Sequence, residues 1–255
     1  MNQALLTIQS STDSTLLDLD GDEFISLLDA RIDGVYSDLI TTDLWKTLQS
    51  VDTPIELLRH FMREVSLEIS SYQPRAAKAA ITAIGRMPRS LDERAVKTML
   101  RHQAEVFTHG EMALRDYHTL GGDVEWARQQ SPSSAAYAVA SVWSAIANER
   151  DSFAYLGALY ASEGLIQQVA SGTVGALLGR GFSADTLEFV CSHSEEDAKY
   201  TALIRALIGK VAKRFQDSRD SILHGTDNLL NIFPLPVWQT AFDRALESFE
   251  REAAF

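Results

Sequence analysis

Apolar residues recur along this chain at the three- and four-residue spacing of amphipathic helices, and almost nowhere in the alternation that marks a half-buried strand. In IELLRHFMREVSLEISSY, Ile55, Leu58, Phe61, Met62 and Val65 share one helical face behind Pro54. Pro74 is expected to end that helix and open an alanine-rich one closed by Gly85. Ser90 with Glu93 has the pattern of a capping box, starting a long helix to about Leu120 that Gly121-Gly122 stops. After the polar loop around Ser131-Pro132-Ser133-Ser134, AAYAVASVWSAIA predicts a buried helix, and Asp151 to about Leu178 another. Ser183 begins a helix to about Phe215, and the stretches from Asp217 to Leu230 and from Pro236 to Glu252 complete the series. No repeat, low-complexity tract or linker divides them. The pattern predicts an all-α bundle of roughly eight or nine helices, one domain over residues 1–255, with residues 1–40 as an N-terminal helical extension.

Three of these helices carry imidazoles and carboxylates where core residues belong. His102, Glu105 and His109 lie three, four and seven residues apart, so on a continuous helix they share a face. Glu163 interrupts the otherwise apolar FAYLGALYASEGL. His193 and Asp197 are one turn apart, with Tyr200 continuing the line. Each stretch has a plainer account when taken alone: an exposed face with histidines, a salt-bridged glutamate beside Gly164, a solvated helix start at Ser192–Glu196. Taken together, inward-facing histidines and carboxylates from three helices are how a helical bundle builds a di-iron or di-manganese site. Imidazole mixed with carboxylate suits iron or manganese.

Bulk properties narrow the class further. A net charge of -12 excludes the clustered lysine and arginine that nucleic acid or an anionic membrane demands. No apolar run approaches the ~20 residues that span a bilayer, and the N-terminal stretch lacks the basic start and apolar core of a signal peptide. Cys191 is the only cysteine, which fits a reducing compartment, so a cytoplasmic location is expected. Other motifs carry little. Asp18, Asp20 and Asp22 resemble a calcium loop, but Glu23 stands where that loop needs glycine. Cys191 and His193 diverge around a helix too far to act as a nucleophile and its base. No strand precedes the glycines at 172–181, so they make no phosphate loop. His60, His118 and His224 read as ordinary histidines, and Lys210, Lys213 and Arg214 as helix C-terminal charges.

The segments HGEMALRDYHTLGGD (109–123), YASEGL (160–165) and HSEEDAKYTALI (193–204) resemble, in order and separation, those of the heme-oxygenase-like di-iron oxidases and oxygenases, often called iron-containing redox enzymes. The resemblance covers the chain from about Asp43 onward. It implies a heme-oxygenase-like fold, iron as cofactor, and dioxygen with a small organic substrate such as an amine, amino acid or fatty acid. It matches His109, Glu163, His193 and Asp197 to metal ligands. The chain departs from the family pattern at Val106, where a glutamate is expected and Glu105 or His102 would substitute, and at Tyr200, where a histidine is expected. Tyr200 is then a phenolate ligand or the catalytic residue. Two irons, one or none remain open, as does a metal-free relative that acts directly on substrate or only binds. The substrate pocket is expected near Tyr137, Trp143, Tyr160 and Phe189, and broad helix faces are compatible with a homodimer.

Overall fold

In the computed structural model of the protein the described residues are 16 and 19–254, with backbone alone for residues 194–199. They are all-helical, with no strand among them: α1 (Gly21–Thr41), α2 (Asp43–Gln49), α3 (Ile55–Gly85), α4 (Glu93–Val106), α5 (His109–Thr119), α6 (Val124–Gln129), α7 (Ser134–Asn148), α8 (Ala154–Gly179), α9 (Glu188–Arg214), α10 (Arg219–Leu230) and α11 (Leu235–Ala253). None of these helices is long and apolar enough to cross a membrane. The acidic run before α1 is a helix cap. The Asp20 carboxylate accepts from the Asp22 and Glu23 amides, and Glu23 accepts in turn from the Asp20 amide. Helix α1 buries Phe24, Leu28 and Ile32 in the main core.

Two helices organise the rest. α8 is apolar on every side, and Ala154 to Ala161 are buried without interruption, as expected of a helix surrounded by others. α9 and α10 pack along it. α3, the longest helix, carries α5, α7 and α11. The space between the two groups is where the polar residues of α4, α5, α8 and α9 meet.

Three sequence expectations are corrected here. Pro74 lies inside α3 and does not end it. The ring deprives the Ser70 carbonyl of its helical donor, yet Gly110 of α5 presses on both: a Cβ there would stand 2.9 Å from the ring and 3.8 Å from that carbonyl. Tertiary packing thus holds the helix through the proline and seats the start of α5. The cap of α4 is Asp92, accepting from the Arg94 amide, and not Ser90. The expected helix from Ser90 to Leu120 is two helices, broken at Phe107 and Thr108, where the Thr108 hydroxyl bonds to the Glu105 carbonyl. His102 and His109 therefore belong to different helices.

At the crossing of α8 and α10 the main chains touch. A Cβ on Gly157 would lie 1.8 Å from the Ile222 carbonyl oxygen, and one on Gly225 would lie 1.9 Å from that of Ala154. A helix-interior glycine forgoes about 1 kcal/mol relative to alanine, so close approach must outweigh propensity here. Gly157→Ala and Gly225→Ala are each expected to destabilise the protein by roughly 3 kcal/mol or more. The double variant should lose less than the sum, since both substitutions part the same helices. Urea denaturation of the three variants checks this; a stabilised single variant would contradict the crossing.

Candidate metal centre

Helix packing brings four of the expected donors into one buried region. His102 (α4), with Nε2 3.6 Å from Glu163 Oε1 (α8), makes one pair. His109 (α5) and His193 (α9) make the other, their rings 4.7 Å apart and steeply inclined at 68°. Glu105 and Tyr200 are also joined, the phenol donating to the carboxylate, but at the exposed edge of the region. Tyr200 reaches inward with its ring, 4.2 Å from that of His102. The side chain of Asp197 lies outside the described residues. Among those described, no three such donors surround a single point.

Two contacts that sequence reasoning missed set the orientation of the histidines. His193 Nδ1 faces the Phe189 carbonyl oxygen one turn back at 2.6 Å. A carbonyl only accepts, so Nδ1 carries the proton and Nε2 is left as a bare lone pair. Metal-ligating histidines are held in this way, the far nitrogen donating to a carbonyl or carboxylate. His102 Nδ1 meets the Gln103 side-chain amide at 3.1 Å; the amide donates to it, or turned over accepts from it, so either tautomer is satisfied. His109 Nδ1 is buried without a hydrogen-bond partner.

The turn that supplies the Phe189 carbonyl is itself fixed from α5. The buried Asp116 carboxylate accepts from the Glu188 and Phe189 amides at 3.1 and 2.9 Å, capping the first turn of α9 from a neighbouring helix. Burial pushes its pKa up to about 6, against the pull of those two amides. Asp116 lies seven residues after His109, nearly in line with it on α5, which is the one sequence signal that marks it. Phe189 also packs on His193, ring to ring at 4.0 Å.

Electrostatically the region is short of positive charge. Burial raises Glu163 to about 8. It lowers His102 to about 4, with nearby Glu105 opposing and His193 reinforcing the shift, and His109 to about 3, with His193 and His102 reinforcing. Burial lowers His193 as well, opposed by its bond to the Phe189 carbonyl. At neutral pH all three imidazoles are therefore neutral, the form that binds metal, and Glu163 holds a proton for want of a cation. Neutral imidazoles, a bare His193 Nε2, an unpartnered His109 Nδ1 and a carboxyl that a cation would ionise fit a divalent iron.

These donors form one wall of a cavity with about 50 Å3 in which the centre of a water-sized molecule can move. The opposite wall is apolar: Tyr72, Ala76, Ala77 and Ala80 of α3, Val139 and Trp143 of α7, and Leu229 and Phe233. Trp143 and Phe189 line it as expected, but two of the four expected aromatics do not. Tyr137 is exposed on α7, because its neighbours Ala136 and Val139 take the inward face. Tyr160 points to the other side of α8, where its hydroxyl bonds to Asp29 and Arg205. Tyr155, which sequence reasoning passed over, lines the cavity with a buried hydroxyl that lacks a hydrogen bond of good geometry.

The depressed histidines tie stability to pH. A group whose folded pKa lies below its unfolded value contributes stability above the unfolded value and loses it as pH falls. The metal-free protein is therefore expected to weaken from about pH 6.5 towards pH 4, as the unfolded chain takes up protons that His102 and His109 refuse. His109→Gln should flatten this loss by on the order of 1–2 kcal/mol. Denaturant midpoints measured across that range, wild type against variant, decide it.

Comparison with known proteins places this geometry. Among solved structures, the chain is similar to a domain with a heme oxygenase-like fold from Shewanella denitrificans OS217, at 18% identity and a TM-score of 0.70, covering 89% of this chain and 93% of that one. It is similar to a TenA homologue from P. horikoshii OT3, at 15% identity and TM-score 0.66, covering 87% and 99%. A TenA homologue from Pseudomonas syringae pv. tomato DC3000 is 9% identical, with TM-score 0.66 and coverage of 90% and 96%. At these identities the likeness is one of fold: an all-helical, heme oxygenase-like architecture. No curated protein matches the sequence. The profile of the iron-containing redox enzymes matches residues 59–232, a span that holds all four buried donors and most of the chain, and the protein belongs to that family.

Proposed function

We propose that the protein is an iron-dependent oxidoreductase in which dioxygen oxidises a small organic molecule held in the cavity between α3 and α8. His102, Glu163, His109 and His193 would hold the iron, with Asp197 and Glu105 completing the set. The observation that carries the reading is the Phe189 carbonyl on His193 Nδ1, which presents Nε2 as an acceptor towards a region already crowded with donors. Bound iron supplies the electrons through which ground-state dioxygen reacts with a closed-shell organic molecule. The chain's residues do the rest. Tyr72, Trp143 and Phe233 exclude water and press an apolar body against the donor wall. Gln103 and the Tyr155 hydroxyl offer polar contacts that orient it. Tyr200, bonded to Glu105 and stacked on His102, closes the outer side and steadies the His102 ring.

A second reading follows from the pairing of donors, since no three described side chains close on one point. A metal-free enzyme of this fold would use protonated Glu163 as an acid and the neutral His102 beside it as a base. Turnover that survives complete removal of metal would favour that reading over the first.

Iron binding must displace the Glu163 proton, whereas the histidines, at about 4 and 3 for His102 and His109, have none to lose at neutral pH. Ferrous affinity is therefore expected to rise with pH, roughly tenfold per unit between pH 6 and 8, and then level off. Glu163→Gln should weaken binding and remove that slope. His193→Ala should abolish iron uptake, while His224→Ala, half-exposed on α10, should leave it unchanged. Anaerobic titration with ferrous ion, read by iron content, checks all three; iron bound equally well by the His193 variant would overturn the ligand set.

A further inference from the structure

A second cavity lies further along the same two central helices. Its walls are Phe61, Met62 and Val65 of α3, Val169 and Leu177 of α8, and Trp45 of α2, with Val190 of α9 on the side facing the metal region. It leaves about 70 Å3 for the centre of a water-sized molecule, more than the cavity beside the histidines. Its hydroxyl and amide side chains are committed elsewhere: the Thr173 hydroxyl bonds to the Val169 carbonyl at 2.8 Å, and the Gln49 amide to the Gly172 carbonyl at 3.4 Å. Water inside a protein needs several polar partners, and apolar cavities that offer none stay dry and admit xenon or benzene. A cavity that takes benzene is about 150 Å3, so this one suits something smaller.

Position decides what that is. Val169 in this chamber is one turn of α8 beyond Ile166, which lines the cavity of the metal region. On α9, Val190 in this chamber directly follows Phe189, whose ring rests on His193. On the outer side, Gln49, Thr173, Ala176 and Trp238 are half-buried and reach solvent. We propose that this apolar chamber is a binding site and entry route for dioxygen, separate from the cavity that holds the organic substrate. The inference rests on the oxidase reading above. An apolar diatomic partitions out of water into such a space, and the wall between it and the iron donors is one side chain thick. Two routes also explain how the aromatic wall at Tyr72 and Trp143 could close over an organic substrate without shutting out its oxidant.

Xenon tests the chamber without any metal. Xenon-pressurised crystals of the metal-free protein should show an atom between Phe61, Val169 and Trp238, and Ala176→Phe or Val169→Phe should remove it. Xenon found only in the cavity beside the histidines, or nowhere, overturns the proposal. Ferrous-loaded protein supplies the second readout. Oxidation by dissolved dioxygen, followed by stopped-flow absorbance, should slow roughly threefold or more in each filled variant, with iron content and helical circular dichroism unchanged. An unchanged rate in a variant that no longer takes xenon would also overturn it. The two failures are distinguishable: ferrous protein that dioxygen does not oxidise removes the oxidase reading itself, whereas failure of the chamber alone leaves oxidation intact. Ala176 is half-exposed and tolerates a larger side chain better than Val169, so one of the pair remains testable if the other does not fold.

Discussion

Desolvation of Glu163 is the constraint on which the rest of this structure turns. A carboxyl on the most enclosed helix of the bundle has one ionisable neighbour at salt-bridge range, a histidine that burial has itself made neutral. Neither member can settle the other's charge, so the pair persists as protonated acid beside uncharged base. Such an arrangement is costly as architecture and serviceable as a receptor for a cation. The same holds for His109 and His193, whose mutual proximity would be repulsive if either gained a proton.

The surrounding fold supplies rigidity where this arrangement needs it. Asp116 anchors the first turn of α9, that turn offers the Phe189 carbonyl, and the carbonyl fixes the tautomer of His193. On the other side, the contact of Gly110 with Pro74 sets where α5 begins, and the first residue of α5 is His109. Each imidazole is thus aimed by a neighbouring helix as well as by its own. A short chain of backbone contacts, and no flexible surface loop, defines the geometry.

The all-helical class and the buried donors were legible in the sequence, for one reason. A histidine or glutamate at a core position of a helical repeat breaks the pattern visibly, and His102, His109, Glu163 and His193 all do so. The failures were of tertiary origin. Pro74 reads as a helix end until Gly110 is known to pack on it. The break at Phe107 and Thr108 has neither glycine nor proline to announce it, so His102, Glu105 and His109 looked like one face when they are divided between two helices. Glu105 and Tyr200 were singled out separately, and only the packing of α4 against α9 makes them partners. Asp116 passed as a surface residue in RDYH, because its two partners are backbone amides on a helix distant in sequence.

The touching main chains of α8 and α10 have a consequence for what the enzyme could be made to accept. Leu229 stands one turn beyond Gly225, and Leu159 just past Gly157, so this side of the cavity is gauged by peptide planes in van der Waals contact. Trimming side chains cannot widen a gap that backbone dictates. Room for a bulkier guest would have to be carved from the facing helix, at Tyr72, where a phenyl-sized volume can be surrendered without shifting a single helical axis.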